Sequence, residues 1–550
     1  MDGPSLIILT VVVLVTWLAQ RFAEPWVQKI ENAGARFALR KNAVIVCAGL
    51  VAIGARLLLL PLAPVPIPWV HDEFSYLLAG DTFAHGRLTN PPHQLWVFFD
   101  TFHVLQHPTY ASKYLPAQGM VLALGQVLGN PWIGVLLSLG VMCAAVAWAL
   151  QAWLPARWAL LGTLLVVLRI GIKSYWIDGY WGGAVGAIGG ALVIGALPRM
   201  LRGRRVQDSL LMGAGAALLA NSRPLEGLLF CLPVAAVLGV RLFSVSRGRM
   251  GGRLKFRTAL LPAVAVLGVT AAFMGYYNWR VTGNALLLPQ ALYRRVYWDV
   301  PLFVWQPVKP AVSDPNHPFT GLFESSTQPA FVGRSWARQV LTKCHWGWSF
   351  FLHEALTIPF LTLPWLIFDR RIRFLMLQFV WCGIWLLLIY WFEPHYAAPL
   401  TASVFIIVSQ AIRHLRQWKF GSYRVGVLAS RVIVVVAIAG VFLPNSETIN
   451  GPRRGWNLSR AQFAARLEAT PQKHLVIVHE GPEHDPTREW VSNAADIDGA
   501  KVVWAREIPG RDLGPLLDYF HDRKVWVVDA DADPPQLQPY RGDAAAQDLH

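Results

Sequence analysis

Long apolar runs recur through most of this 550-residue chain, and they limit its fold more than any other feature. About twelve of them have the roughly 15 to 23 residues that a helix needs to cross a bilayer. The predicted spans lie near residues 5–20, 43–62, 131–153, 157–172, 183–199, 208–221, 226–242, 258–279, 353–368, 374–391, 397–412 and 427–444. Hydrophobic residues make up 54% of the chain and charged residues only 15%, which is too apolar for a soluble protein. We therefore expect an all-α polytopic membrane protein with about 12 transmembrane helices.

Lysine and arginine residues cluster in alternate loops between these runs. The clusters lie at 21–41, 155–157, 199–205, 241–257, 369–373 and 413–424. Because basic loops remain on the cytoplasmic side, the other loops and both chain ends should face outward from a cell inner (plasma) membrane. These external loops are 63–130, 173–182, 221–226, 280–352 and 392–396. The formal net charge of +16 is thus explained by topology and not by nucleic-acid binding.

The composition becomes charged and soluble after Pro444. Three alternating segments, HLVIVHE, KVVWARE and KVWVVDAD, indicate strands, with helical patterns around 460–467 and 513–522. We expect a small α/β domain with about three parallel strands and, since no GxGxxG or P-loop pattern is present, no nucleotide site. The chain then divides into an N-terminal helix and cytoplasmic linker (1–42), a transmembrane domain (43–444) with long loops at 63–130 and 280–352, and a soluble extracytoplasmic domain (445–550).

The stretch WVHDEFSYLLAGDTFAHG, residues 69–86, concentrates polar groups between two apolar runs. Asp72 and Glu73 follow a proline-rich exit from a predicted span, so they should lie at the membrane surface. A stripe with helical spacing predicts a short amphipathic helix lying along the bilayer. Its members are Phe74, Leu77, Leu78, Asp81 and His85. Two interpretations of Asp72 stay open, as the N-cap of this helix or as a functional carboxylate.

Five histidines lie between His71 and His107, close to these carboxylates. Imidazoles and carboxylates together are common ligands of divalent metals, but the spacing of these histidines is irregular. The sequence therefore assigns no metal ligand, and a divalent metal stays an open possibility.

The first external loop resembles that of the membrane-embedded GT-C glycosyltransferases, the superfamily of protein mannosyltransferases and aminoarabinose transferases. In that family an acidic residue, often in an Asp-Glu or Asp-Asp pair, follows the first core helix and precedes a juxtamembrane helix. Asp72-Glu73 and the segment 74–85 match this layout, within a pattern of spans and loops over 43–444. The resemblance implies a polyprenyl-phosphate sugar as donor substrate and an external active site. It also implies a further acidic residue in the second external loop, where Asp178 matches.

Residues suited to hold a phosphate stand near the ends of several predicted spans. They are Lys113 in the first loop, Lys173 in KSYWIDGYWGG, Arg223 in NSRPLEG, and His395 and Tyr396 in FEPHYAAP. Simpler interpretations stay open: Asp178 lies within an aromatic interfacial belt, and Arg223 is one turn from Glu226, with which it can pair. His395 can equally well satisfy backbone groups.

A sugar on a lipid phosphate is already activated, so the protein needs a base for the acceptor hydroxyl and positive charge for the departing phosphate. Asp72 is the expected base, with Glu73 or Asp178 as its support. Lys113, Lys173, Arg223 and His395 are the expected phosphate partners. By the resemblance, the acceptor is a lipid-linked glycan, a lipid or a protein, and no cofactor beyond the donor substrate is indicated.

A transporter or flippase of lipid-linked saccharides is the main alternative, and a membrane scaffold for the C-terminal domain is another. A proton-coupled transporter should carry charged residues near the middle of its spans. Arg56 and Arg169 are the nearest candidates, but both lie near span ends, where they are expected to snorkel to the surface. The polar residues crowd the external loops instead, which favours an enzyme.

Overall fold

The computed structural model describes residues 17–18, 22–203, 206–246, 260–296, 301–307, 335–442, 455–481, 484–485 and 488–541. Its α-helices are α1 (Glu24–Ala38), α2 (Lys41–Leu58), α3 (His71–Ala84), α4 (Pro116–Val127), α5 (Pro131–Trp153), α6 (Ala156–Val166), α7 (Gly183–Arg202), α8 (Val206–Ala220), α9 (Pro224–Ser246), α10 (Leu261–Thr282), α11 (Pro289–Val296), α12 (Trp336–Phe351), α13 (His353–Thr357), α14 (Leu363–Phe368), α15 (Arg373–Leu388), α16 (Thr401–Leu415), α17 (Val425–Phe442), α18 (Trp456–Glu468) and α19 (Gly514–Tyr519). The strands are β1 (Val104–Leu105), β2 (Ala111–Ser112), β3 (His474–His479), β4 (Val502–Arg506), β5 (Lys524–Asp529) and β6 (Leu537–Pro539). Shorter 3-10 helices lie at Trp96–Phe99, Ile358–Thr362 and Pro394–Leu400, and a π-helical turn at Val167–Gly171 extends α6.

Six of the described helical segments are long and apolar enough to cross a membrane. They are α2, α5, α7, α9, α10 and Pro394–Leu415, in which α16 continues a 3-10 helix. The segments Trp336–Phe351 and His353–Phe368 meet at 98° and make a seventh span if they are taken together. The chain is therefore a multi-pass membrane protein.

The predicted total of about 12 spans is not confirmed. Helices cover every predicted span within the described residues, but α8, α15 and α17 are shorter apolar helices than the six above, and the predicted span 157–172 is divided between α6 and the π-turn. The predicted span at 5–20 lies outside the described residues except for 17–18.

Small residues let α7 approach its neighbours closely. A Cβ on Gly190 would lie 2.0 Å from the carbonyl oxygen of Pro399, so a larger residue could not pack against the Pro394–Leu400 helix at this depth. On another side, a Cβ on Gly195 would lie 2.3 Å from the ring of Trp148 in α5. These contacts hold the segment that carries His395 and Tyr396 against the centre of the membrane body.

Helix α3 is covered by protein on two sides, whereas its stripe predicts a helix lying on the bilayer. One side packs on α4, where a Cβ on Gly119 would lie 2.7 Å from the Cβ of Ala79. On another side, Phe74 and Leu78 each join an apolar cluster of the C-terminal domain. Buried residues lie on every side of α3, including Phe74, Ser75, Tyr76 and Ala79, so protein surrounds the helix beyond the predicted stripe.

The C-terminal region contains a four-stranded sheet with the order β4-β3-β5-β6. The three predicted strands are present, and β3 pairs in parallel with both β4 and β5. The fourth strand, β6, was not predicted and runs antiparallel to β5. Since β3 is central, its apolar side chains are covered on both faces of the sheet, by α18 on one face and by the first loop on the other.

Candidate active site

The carboxylate of Asp72 lies at the start of α3 among tyrosine and histidine side chains. The helix begins after the extended residue Val70, so Asp72 is the second helical residue and the N-cap interpretation is wrong. Oδ1 of Asp72 accepts a hydrogen bond from the hydroxyl of Tyr114. The ring of Tyr114 stacks on that of Tyr76, with 4.1 Å between the ring centroids. The Asp72 side chain remains 20% exposed, so a substrate can reach it.

The second carboxylate oxygen of Asp72 faces two imidazoles. Oδ2 lies 3.4 Å from Nε2 of His71 and 3.6 Å from Nε2 of His103. Burial lowers the pKa of His71 to about 4 and also lowers that of His103, so both rings are neutral near pH 7, as metal ligands must be. One ligand atom from each of the three residues lies within 4.8 Å of the others. This donor set fits a divalent metal of the zinc type with open coordination positions.

His103 has an uncommon backbone conformation, with φ of 63° in the left-handed region. Its N–H donates to the hydroxyl of Tyr293 at 3.0 Å, and its carbonyl accepts from the hydroxyl of Ser75 at 2.6 Å and from the N–H of Lys113 at 3.0 Å. These bonds maintain a conformation that an isolated histidine would avoid. Such maintained strain occurs frequently at functional sites.

Lys113, a predicted phosphate partner, is buried close to Asp72. Its Nζ lies 4.9 Å from the ring centroid of Tyr114 and 5.0 Å from that of Tyr293. Burial lowers the pKa of Lys113 to about 7, although the Asp72 carboxylate favours the charged form. The charge of this lysine is therefore sensitive to small changes in its surroundings near neutral pH.

Glu73 is buried and joins separate segments of backbone. Its Oε2 accepts from the N–H groups of Trp69 and Val70, at 2.9 and 3.3 Å, and its Oε1 accepts from the N–H of Tyr180 at 2.9 Å. Burial raises the pKa of Glu73 to about 7. These contacts make Glu73 an anchor between the first turn of α3 and the loop 173–182.

Asp178 forms an ion pair with Arg56, with 2.8 Å between the charged atoms and side-chain exposures of 8% and 1%. Arg56 also donates to two backbone carbonyls that follow α2. Arg56 is therefore enclosed by protein, and the prediction that it snorkels to the surface is wrong. Lys173 is half-buried in the same loop; burial lowers its pKa, and the Asp178 carboxylate opposes that effect. Arg56, Lys173 and Asp178 form a second polar group, which Glu73 joins to the first through Tyr180.

Arg223 precedes α9 and lies over the ring of Tyr396, with 4.3 Å between the guanidinium carbon and the ring centroid. Two predicted phosphate partners from distant parts of the chain thus meet. Beside them is a small apolar cavity between α9, α15 and the 3-10 helix Pro394–Leu400. Leu229, Phe230 and other apolar residues line it, and Glu226 and Tyr396 form its polar end.

His395 is buried, and aromatic residues of the loop 173–182 surround it. Its Nδ1 lies 3.0 Å from the hydroxyl of Tyr175, and its ring centroid lies 4.8 Å from that of Trp181. Glu393, two residues before His395, has a pKa raised to about 7 by burial and by the carboxylate of Asp72.

Electrostatic effects indicate that the first loop and two distant span ends share one site. Burial raises the pKa of Tyr76 to about 12, while Arg223 opposes this shift and Asp72 adds to it. Asp72 also acts on Glu393, and such effects require the charged groups to lie close together. The charges of Asp72 and Arg223 both act on Lys113 and on Glu393, and Arg223 lies over the ring of Tyr396.

Three tyrosines of the site, Tyr76, Tyr114 and Tyr175, were not among the residues predicted from the sequence. Tyr76 and Tyr114 form the wall beside Asp72, and Tyr175 contacts His395. The available signal was position, since Tyr114 directly follows the predicted phosphate partner Lys113 in the chain.

No family model and no curated protein matches this chain. Among solved structures, the chain is similar to the oligosaccharyltransferase AglB from Archaeoglobus fulgidus in complex with an inhibitory peptide and a dolichol-phosphate, with 12% identity and a TM-score of 0.44, over 89% of this chain and 69% of that chain. It is also similar to ArnT from Cupriavidus metallidurans, both bound to undecaprenyl phosphate (12% identity, TM-score 0.47) and in the apo state (13% identity, TM-score 0.48); each match covers 90% of this chain and 93% of that one.

Proposed function

We propose that this protein is a GT-C type glycosyltransferase that moves a hexose or pentose from a polyprenyl-phosphate donor to an extracytoplasmic acceptor. The observation that carries the proposal is that a partly exposed carboxylate, Asp72, and a guanidinium, Arg223, act on the same two side chains, Lys113 and Glu393. Arg223 also lies over the ring of Tyr396, which forms part of the polar end of a small apolar cavity. A lipid phosphate needs both a cationic partner and an apolar surface. Dolichol phosphate and undecaprenyl phosphate, present in the neighbouring structures, belong to the proposed donor class.

Asp72 acts in this proposal as the general base. The Tyr114 hydroxyl orients Oδ1, and the carboxylate then takes the proton of the acceptor hydroxyl as that oxygen attacks the anomeric carbon. Direct attack inverts the anomeric centre. Glu73 and Asp178 support the base by holding its surroundings: Glu73 anchors the first turn of α3, and Asp178 fixes the adjoining loop through Arg56.

Positive groups of the site stabilise the departing lipid phosphate. The planar guanidinium of Arg223, supported by the ring of Tyr396, can donate paired N–H groups to phosphate oxygens. Lys113 supplies a further charge beside Asp72 when it is protonated. Lys173 and His395 complete the proposed phosphate partners on the side of the loop 173–182.

A divalent metal is a further part of the proposal, because His71, Asp72 and His103 fit one. These three residues would hold the ion through Nε2, Oδ2 and Nε2. When bound, it would supply positive charge that polarises a substrate oxygen. Both imidazoles are neutral near pH 7, and the side chain of Asp72 is 20% exposed.

We place the protein in the cell inner (plasma) membrane, with the site and the 445–550 domain on the extracytoplasmic side. The alternation of basic loops supports this orientation. The acceptor is then a lipid-linked glycan, a lipid or a protein on that side of the membrane.

The direct test uses purified protein, a polyprenyl-phosphate sugar with a radiolabelled sugar, and a membrane extract as acceptor source. A transferase moves the label to a product that survives mild acid hydrolysis of sugar phosphates. A transporter in liposomes moves the intact labelled lipid between leaflets and leaves the sugar–phosphate bond unbroken. Movement without bond cleavage would replace the enzyme by the transporter.

A further inference from the structure

The apolar core of the C-terminal domain is completed by residues of the first loop. One cluster joins side chains of the sheet and α19 to the loop; it includes Leu475, Val503, Leu516, Phe520, Leu78, Phe98, Phe99 and Tyr110. In a second cluster, Phe74 of α3 packs with Trp456, Trp490 and Trp504. Because these clusters are continuous, moving the domain away from α3 would expose apolar surface on both partners.

Asp81, near the end of α3, connects three parts of the molecule. Its Oδ2 accepts from the N–H of Ala495 in the C-terminal domain at 2.7 Å, and its Oδ1 accepts from the side-chain amide of Gln126 in α4 at 2.6 Å. A carboxylate can accept both bonds at once because each oxygen receives one donor. Asp81 thus ties α3 to the membrane body and to the C-terminal domain at a single point.

The segment of the C-terminal domain that contains Ala495 is held by further hydrogen bonds. The side-chain amide of Asn493 accepts from the backbone N–H of Trp504 in β4 at 2.9 Å and donates to the backbone carbonyl of Trp504 at 2.8 Å. The backbone carbonyl of Asn493 accepts from the hydroxyl of Tyr110 at 3.3 Å. The segment that presents Ala495 is therefore fixed to the sheet.

Arg460 of α18 holds the same segment and also covers α3. Its guanidinium donates to the carbonyls of Trp490 and Ser492, both at 2.8 Å. The guanidinium carbon lies 5.0 Å from the ring centroid of Phe74 and 4.7 Å from that of Trp504. Phe74 is two residues after Asp72, so this contact reaches the first turn of the helix that carries the proposed base.

We propose that the C-terminal domain acts as a clamp that sets the position of α3, with Asp81 as a positioning residue for Asp72. This inference rests on the proposed role of Asp72. Phe74, Leu78 and Asp81 form the outer face of the helix, and the domain holds all three. Asp81 is nine residues from Asp72, about 13 Å along the helix axis, so it acts through the helix and not on the substrate. A displacement of about 1 Å at a catalytic group can lower the rate on the order of a hundredfold.

The experiment compares Asp81→Ala, the milder Asp81→Asn and the matched control Asp518→Ala in the full-length protein. Asp81→Asn keeps the volume but turns an amide N–H toward one of the two donors. Asp518 is an exposed carboxylate on the same domain, and its removal should change nothing. Transfer kinetics are measured per folded molecule, and hydrogen exchange is followed in peptides of α3 and of α5.

We expect kcat to fall about tenfold or more in Asp81→Ala and less in Asp81→Asn, with the KM for the donor changed less than about twofold. Amides of α3 should exchange on the order of ten times faster, while those of α5 stay unchanged. Unchanged exchange in α3 would overturn the clamp even in an inactive protein, so its failure is separable from failure of the proposed function. Faster exchange with an unchanged kcat would overturn Asp81 as a positioning residue.

Discussion

The carboxylate of Glu73 accepts a hydrogen bond from the backbone N–H of Tyr180, with 2.9 Å between Oε1 and the nitrogen. The same carboxylate accepts two N–H groups that precede α3. One buried side chain therefore joins the loop that carries Asp178 to the helix that carries Asp72. Two loops far apart in the chain become one rigid frame around the proposed site.

Burial of Glu73 leads to a pH-dependent stability. Its pKa is raised from 4.5 to about 7, so between these values the folded state binds more protons than the unfolded chain. The contribution of Glu73 to stability therefore falls as the pH rises from about 4.5 to 7, by up to about 3 kcal/mol. Relative to Glu73→Gln, the wild type should lose thermal stability in detergent between pH 5 and pH 8. The exposed Glu468→Gln serves as control, and an equal pH response in wild type and Glu73→Gln would contradict the assignment.

Asp72→Asn should lower sugar transfer on the order of a hundredfold or more, because the amide keeps the shape but cannot accept the proton of the acceptor. Donor binding should be retained, since other groups hold the phosphate. The stability should change by no more than about 1 kcal/mol from the loss of a negative charge in the first helical turn. The measurement is turnover with radiolabelled donor, next to a binding assay. Normal turnover in folded Asp72→Asn would end the role of Asp72 as base.

Arg223→Lys should raise the KM for the lipid donor about tenfold. Lysine keeps the positive charge but loses the planar fork and the guanidinium contact with the ring of Tyr396. Arg280→Lys is the matched control, because Arg280 is exposed at the end of α10. Donor titrations of both variants decide the question; equal KM values would place the phosphate elsewhere.

Metal content tests the triad of His71, Asp72 and His103. We expect purified protein incubated with Zn²⁺ or Mn²⁺ and then desalted to retain about one ion per chain, and His71→Ala or His103→Ala to lose it. Elemental analysis measures this independently of activity. If the wild type retains no ion and chelators leave transfer unchanged, the metal part of the proposal is wrong and Asp72 as base is unaffected.

The ion pair of Arg56 and Asp178 should behave as a buried structural unit. Asp178→Leu leaves the enclosed guanidinium of Arg56 without its partner, and we expect a loss of about 3 to 5 kcal/mol in stability. The double variant Arg56→Met with Asp178→Leu removes both charges and should recover most of that loss. Thermal unfolding of the wild type, Asp178→Leu, Arg56→Met and the double variant measures the coupling. Additive losses would show that the two charges stabilise the protein separately.

Local patterns in the sequence were enough to predict the membrane body, the α/β character of the C-terminal region and the loop that carries Asp72. These features follow from apolar run length and from helix or strand periodicity, which depend on neighbouring residues only. The parallel pairing of β3 with β4 and β5 was also within reach, because the three apolar segments alternate with helical ones.

Only the tertiary structure decided which polar side chains meet. Arg223 and Tyr396, or Arg56 and Asp178, are far apart in the chain, and their contacts depend on how whole helices pack. The spacing of Phe74, Leu78 and Asp81 likewise could not predict what covers these residues, because an apolar face has the same periodicity whether lipid or protein covers it. Amino-acid sequence thus determined that α3 has a buried face, while packing against the C-terminal domain determined what buries it and where Asp72 points.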